Sequence, residues 1–568
     1  MGLRLHGLAY LLPHNIEGDF SIVVQSQLLH AGAENPVDDP QFGKYPLLIA
    51  RLEQLLPDQW AREQDPTPRG LEAHLEDAIA PVLQVRRVVA LIALVIVPAT
   101  WLLARTFMGP WASLLAAFLA ATSVLHLFMS QQARPHGASG PLVALAVVAC
   151  LRLLKRGDIL SYLLAGVAAA LAMGALQSGF AVGFSIVAAC LFVVRREGLE
   201  TAWRPLLPLA VILASLPLFY PFVLSDRPDA PGSQLEFVEG GIRQAGHFLQ
   251  YRFFNGHGFL AIAESMWSFD TPIAILMPVG LLAWLLTRRR AGAWDKWREL
   301  AVVMAYVGPY ILVIGMYQRT FERFVIPLLP FFICLAVYGL VQFGRFLEAR
   351  LPRPAFRAAA AAGALAFVVV PGAMAAKFSY LRGKADTETE AAQYLVEHTE
   401  PGDRIYSLPL HLIPLLTTEE GVRVDRIFAP PHYPTSPYWW SYQFRMPESS
   451  KTGPRYSIFQ IPIWSEKHRS HLNARPVEYL RSLRANWFVI EAYEQGRHHA
   501  ELHAIHSALM RMKSAEHVAR FSPDSDPEWT EMPMTHGGIV AVQNPHFYWR
   551  LFRARAYGPV VDVFRMRK

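Results

Sequence analysis

Charge is scarce in this sequence. Only 17% of its 568 residues are Asp, Glu, Lys or Arg, against about 25% in soluble domains. A shortage of that size excludes a wholly soluble protein and demands apolar surroundings for much of the chain. Cysteine is scarcer still. Cys150, Cys190 and Cys334 each lie inside an apolar run. They form neither a disulfide framework nor a CxxC metal pair, and they read as small buried hydrophobes. No internal repeat recurs along the chain, as it often does in transporters built from matching halves. No basic helix with base-reading residues is present, so the net charge of +7 is not read as a nucleic-acid footprint.

What the sequence has is hydrophobic length. Apolar residues make up 53% of it, and the mean hydropathy is +0.23. A helix needs roughly 20 apolar residues to cross a bilayer core. Ten runs approach that length: 88–107, 110–128, 137–154, 159–176, 179–194, 205–224, 271–287, 300–317, 324–343 and 358–376. The uncharged stretch 159–194 is too long for one crossing and is divided at Gln177-Ser178-Gly179. Basic residues cluster in alternate loops: Arg105; Arg152, Lys155 and Arg156; Arg195, Arg196 and Arg204; Arg288 to Arg298; Arg345 to Arg357. By the positive-inside rule these loops are cytoplasmic. Residues 1–82, the loop 225–270 and everything after Ala376 are then extracytoplasmic. This division predicts three parts: a first external loop (1–82), a transmembrane bundle of about ten helices (83–376) and a soluble α/β domain (377–568). An external N-terminus needs a helix to translocate it, and Met1–Leu12 is too short to span. The expectation is that one transmembrane helix is missing upstream of Met1.

The first external loop carries an acidic pair, Glu17 and Asp19, directly before a helical stretch starting at Ser21. Asn35-Pro36 follows, and then Phe42-Gly43-Lys44-Tyr45-Pro46-Leu47. After the second span comes Gln131-Gln132-Ala133-Arg134-Pro135. Phe321-Glu322-Arg323-Phe324 with Pro327 and Pro330 opens a late span, and Arg86-Arg87 opens the first. In order and sidedness these segments resemble the GT-C glycosyltransferases. The likeness is to the bacterial branch related to protein O-mannosyltransferases and the aminoarabinose lipid A transferase. The resemblance implies a GT-C-like α-helical polytopic bundle with a C-terminal extracytoplasmic α/β domain. It also implies sugar transfer from a polyprenyl-phosphate donor to a lipid, glycan or protein acceptor. If Ser21-Ile22-Val23 is held in register, Asp19 takes the family's Glu position, Gly18 its Asp position, and Glu17 falls one residue early. Both acids are therefore carried as candidate bases.

The chemistry asks for such residues in its own right. An acceptor hydroxyl becomes a good nucleophile only as its proton is removed, and a nearby carboxylate does that. The departing phosphate needs cations, and Arg pairs with it bidentately. Asp19 or Glu17 is the candidate base, with inversion at the sugar; the bland alternative is a pair of solvated carboxylates capping the helix at Ser21. Arg134 is the first candidate for the donor phosphate, with Lys44, Arg323 and Arg86 behind it. For each the alternative is an interfacial side chain reaching for water. Tyr45 and His257 are candidate substrate-loop residues, although a His between glycines is also an ordinary turn residue. No strong cluster of oxygen ligands decides whether a divalent metal ion takes part.

Beyond Ala376 the composition becomes ordinary. Helical spacing over 387–398, the turn at Pro401-Gly402-Asp403, strand-like 404–408, a helix over 477–484 and strands at 487–491 and 559–565 predict a small α/β unit. The aromatic stretch 433–442 fits sugar stacking or interfacial anchoring. His499, His503 and His506 have zinc-compatible spacing on a helix, with a solvated helix face as the bland reading. Two other functions stay open: a transporter or flippase of lipid-linked saccharides, and a non-catalytic member of the same fold.

Overall fold

The structure is a computed structural model that describes residues 1–10, 12, 21–32, 45–57, 71–221, 236–244, 247–287, 296–408, 416–418, 455–461, 465–492, 499–524 and 546–567. The candidates Glu17, Asp19 and Lys44, with Asn35, Phe42 and the stretch 433–442, lie outside these residues.

In hydrocarbon every backbone polar group must bond within its own segment, so apolar runs of this length fold as helices. The first are α1 (Gly2–Leu5), α2 (Ser21–His30), α3 (Leu48–Glu53), α4 (Leu71–Ala93), α5 (Ile96–Phe107), α6 (Pro110–Thr122), α7 (Val124–Ser130), α8 (His136–Arg156), α9 (Ile159–Ala175), α10 (Val182–Glu197) and α11 (Leu206–Phe219). A three-stranded antiparallel sheet follows: β1 (Glu236–Val238), β2 (Gly241–Gln244) and β3 (His247–Gln250). Then come α12 (His257–Phe269), α13 (Thr271–Thr287), α14 (Trp297–Met316), a 3-10 helix (Glu322–Leu328), α15 (Leu329–Arg350), α16 (Arg353–Ala364) and α17 (Val370–Arg382).

Each of the ten apolar runs contains a helix. Among the described residues, seven helices are long and apolar enough to cross a membrane, or eight if α6 and α7, bent by 50° at their junction, count as one span; α9 and α13 are shorter apolar helices. The break placed at Gln177-Ser178-Gly179 is a 3-10 helix, Gln177–Ala181, between α9 and α10. Gly179 is required there, because a Cβ would fall 2.3 Å from the Ala172 carbonyl carbon. The Gly157 C-cap, at φ +68°, ends α8, and the Asp158 carboxylate accepts the Ser161 N–H at 2.7 Å to start α9. Small residues let α13 and α15 touch: a Cβ on Gly339 would meet the Gly280 nitrogen at 2.4 Å, the usual device for close helix packing in membranes.

One stretch differs from the sequence reading. The segment 225–270, which the sequence predicts to be a loop, contains β1–β3 and the helix α12. Ile262, Met266 and Phe269 recur at helical spacing and are buried. Glu264 is the only charged residue in α12.

The C-terminal part contains α18 (Thr387–His398), β4 (Arg404–Leu408), β5 (Leu416–Thr417), β6 (Arg455–Gln460), α19 (Glu466–Ala474), α20 (Pro476–Ser482), β7 (Trp487–Ala492), α21 (His499–Arg511), β8 (Ala515–Phe521), α22 (Phe547–Arg550) and β9 (Val560–Met566). The strands form one mixed sheet in the order β5-β6-β4-β7-β9-β8. Strands β5, β6, β4 and β7 are parallel, and β9 and β8 run antiparallel. The chain is thus a helical membrane bundle with a small α/β layer, as its composition foretold. The helix expected over 387–398 caps on Asp386, whose carboxylate accepts the Thr389 N–H at 2.7 Å.

The α/β layer does not stand apart from the bundle. Phe547, Tyr548, Leu551 and Tyr557 belong to the core of the helical bundle. Phe547 lies 5.2 Å from the Phe269 ring and 6.2 Å from the Phe378 ring.

Candidate functional site

The site is built from the bend between α6 and α7. Ser123 breaks the helix and restarts it: its Oγ accepts the His126 N–H at 3.2 Å and donates to Asp270 Oδ2 at 2.6 Å, while Asp270 Oδ1 accepts the Val124 N–H at 2.9 Å. A buried carboxylate at a helix N-terminus satisfies donors that would otherwise be orphaned. It fixes the direction in which α7 leaves the bend, and α7 delivers the turn Gln131–Pro135.

That turn is tied down on several sides. Arg4, buried, donates from Nη2 to His126 Nδ1 at 2.9 Å and to the Ala120 carbonyl at 3.1 Å. A guanidinium only donates, so the His126 proton sits on Nε2, which donates to the Gly137 carbonyl at 3.1 Å. Burial draws the Arg4 pKa down to about 10. Gln131 donates to the Leu3 and His6 carbonyls at 3.0 and 2.7 Å.

Beyond Gln131 a charged cluster forms in a buried setting. Arg134 is 4% exposed, His136 and Glu322 are 1% exposed, and Gln132 is fully buried. The charges of Arg134 and Arg323 both act on the His136 ring and on the Glu322 carboxyl. Tyr45 meets His136 edge-on at 5.9 Å, and Phe324 lies 6.2 Å from the same ring. The Arg323 guanidinium stacks 4.3 Å over Phe321 and 5.2 Å over Phe324. Both carboxylate oxygens of Glu322 and both amide atoms of Gln132 are buried without a hydrogen-bond partner among the described residues. Polar groups left so are costly unless something else completes them.

Through His136 the structure brings the Arg134 turn, the Arg323 turn and Tyr45 together. Gln25 in α2 donates to the Tyr45 carbonyl at 3.0 Å. α2, whose first residue lies two positions after Asp19, shares one apolar cluster with Ala133 and Ala138 on either side of Arg134. Arg86 is buried and donates to the Leu8 and Tyr10 carbonyls, with its guanidinium 4.4 Å from the Tyr10 ring centre. His257 is exposed at the start of α12, where its N–H donates to Asn255 Oδ1 at 3.1 Å. The sequence reading did not single out Gln132, His136, Glu322 or Asp270. A usable signal existed for the last two, since each is an isolated carboxylate at the mouth of an apolar run.

A second polar knot joins α2, α3 and α4. The fully buried Glu53 carboxylate receives His30 Nε2 at 3.1 Å and Gln84 Nε2 at 2.7 Å, and burial pushes its pKa up. Among the described residues no group of three His, Cys, Asp or Glu side chains could hold a metal ion. His506 on α21, one of the three zinc-spaced histidines, instead bonds Asp562 at 2.9 Å.

A chain whose buried turn carries Arg134 and His136 can be compared with known proteins. No curated protein matches it. Among solved structures, it is similar to ArnT from Cupriavidus metallidurans bound to undecaprenyl phosphate, with a TM-score of 0.43, 13% identity, and coverage of 91% of this chain and 93% of that one. The apo state of the same protein gives 0.44 and 14% over the same shares. The apo Archaeoglobus fulgidus oligosaccharyltransferase gives 0.42 and 12%, over 87% of this chain and 68% of that one. Residues 80–224, about a quarter of the chain, match the dolichyl-phosphate-mannose-protein mannosyltransferase family, and Arg134 and His136 fall inside the match. That match sets residues 80–224, with Arg134 and His136 but without Tyr45, Glu322 and Arg323, in the GT-C superfamily of glycosyltransferases.

Proposed function

We propose that this protein is a membrane glycosyltransferase that moves a sugar from a polyprenyl-phosphate donor to an acceptor on the non-cytoplasmic face. The observation that carries this reading is that the Arg134 turn and the Arg323 turn meet at one buried place: His136, two residues after Arg134, packs against Tyr45 at 5.9 Å and against Phe324, the neighbour of Arg323, at 6.2 Å. Two clustered cations, one of them deeply buried, suit a phosphodiester and the phosphomonoester it becomes. The bundle around them offers the lipid tail an apolar path.

In this reading the acceptor attacks the anomeric carbon from the face opposite the phosphate, and the configuration inverts. Asp19 or Glu17 takes the acceptor's proton. The bond from carbon to phosphate oxygen breaks, and polyprenyl monophosphate departs against Arg134 and Arg323, with Lys44 and Arg86 as further donor contacts. Tyr45 and His257 border the substrate. Residues 1–82 serve as the catalytic loop, 83–376 as the bundle, and 377–568 as an extracytoplasmic domain of a plasma (inner) membrane protein. The acceptor is a lipid, a glycan or a protein.

The test uses membranes holding the full chain and a radiolabelled polyprenyl-phosphate sugar. Wild type is expected to consume the donor, and the double variant Asp19→Ala, Glu17→Ala is expected to lose turnover about 10²- to 10⁴-fold. Unchanged turnover in the double variant excludes this mechanism.

A further inference from the structure

We propose that Arg382 is a positioning residue through which the C-terminal part of the chain holds the Gln131–Pro135 turn in place. The proposal rests on the phosphate-binding role given above to Arg134.

Arg382 ends α17 and is 1% exposed. Its guanidinium meets four separate parts of the chain. Nη1 donates to Gln131 Oε1 at 2.7 Å and lies 3.4 Å from the Phe128 carbonyl, both on the α7 side. Nη2 donates to the Tyr557 hydroxyl at 3.0 Å, from the C-terminal part. The Tyr10 ring of the N-terminal segment lies 3.6 Å away, and Phe378 of α17 lies 4.7 Å away. No carboxylate pairs with Arg382 among the described residues. Burying a cation without one is expensive, and here hydrogen-bond acceptors and aromatic faces offset the cost.

The geometry gives this arrangement a direction. Gln131 stands three residues before Arg134. Its amide nitrogen bonds Leu3 and His6, and its amide oxygen takes Arg382, so the side chain is fixed at both ends. Arg382 in turn is aimed by Tyr557, whose carbonyl accepts the Thr387 N–H at 3.0 Å. Tyr557 also packs edge-on against Tyr10 at 5.4 Å. A planar fork can serve Gln131 and Tyr557 at once; a lysine ammonium cannot reproduce that fork. The C-terminal layer is therefore part of the site's frame and not an appendage to it.

The experiment compares binding of polyprenyl monophosphate with binding of the polyprenol of equal chain length to the full-length protein in nanodiscs. Wild type is expected to prefer the phosphate. In Tyr557→Phe, which removes one hydroxyl, and in Arg382→Lys, that preference should fall about tenfold while alcohol affinity holds. Tyr557→Phe decides the matter if Arg382→Lys does not fold. An unchanged preference in a folded variant overturns the positioning role alone, as does an equal loss for both lipids. A wild type without any preference overturns this role and the proposed reaction together.

Discussion

Replacing Asp562 with Asn should loosen the edge of the C-terminal sheet without touching the bundle. Asp562 lies on β9 with no solvent exposure. Its Oδ2 receives His506 Nε2 and its Oδ1 receives His517 Nε2, each at 2.9 Å, and Arg520 Nε stands 3.7 Å away. Burial alone pushes this carboxyl up, but the two imidazole hydrogen bonds and the Arg520 charge outweigh it and hold the pKa at about 2. An unperturbed Asp sits near 3.9, so the gap corresponds to about 2–3 kcal/mol. Because the folded value is the lower one, this stabilisation is complete above about pH 4 and is lost as pH falls toward about 2. At pH 7, hydrogen exchange of the full-length protein should therefore show β8 and β9 opening about thirty- to a hundredfold more often in Asp562→Asn. Peptides from α8 and α15 should exchange as in wild type. Exchange in β8 and β9 within about threefold of wild type would refute the reasoning, and so would a loss of protection spread evenly over the chain.

Two further outcomes concern the bundle. Asp270→Ala removes the acceptor for both Ser123 Oγ and the Val124 N–H, and should destabilise the protein by about 1–3 kcal/mol, more than Ser123→Ala does. Thermal unfolding in detergent checks the order, and a larger loss in Ser123→Ala contradicts the capping role. Gly179→Val forces a branched side chain into the Ala172 backbone, whereas Gly183 has nothing within 4 Å of an added Cβ. The first should abolish monodisperse protein on size exclusion, and Gly183→Ala should be neutral or stabilising by about 0.5–1 kcal/mol. Equal behaviour of the two variants would remove the close contact as a constraint.

The parts legible in the sequence were those written in local patterns. Each of the ten apolar runs contains a helix, and the strands at 404–408, 487–491 and 559–565 match β4, β7 and β9 to within a residue or two, because period and length determine such elements over a few residues. The segment 257–269 lies between two long apolar runs and reads in sequence as part of one external loop, although Ile262, Met266 and Phe269 keep helical spacing. The contacts that build the site were not legible for a different reason. Gln131 and Arg382 lie 251 positions apart, and Arg382 and Tyr557 lie 175 apart. No periodicity links such residues, and a buried arginine at the end of a span reads in one dimension as an interfacial charge. Arg134 and Arg323 were found through motif resemblance, while His136 and Glu322 gained meaning only when the two turns came together.

The placement of Phe547 has a consequence for biogenesis. This ring, with Tyr548, Leu551 and Tyr557, is translated after every spanning helix among the described residues, yet all four belong to the helical core, and Phe547 packs against Phe269 and Phe378. Helices delivered to the bilayer during synthesis must wait with an open seam until that late segment folds back to close it. Quality control that inspects the nascent bundle therefore meets an unfinished object, and the finished one exists only once the C-terminal segment has docked.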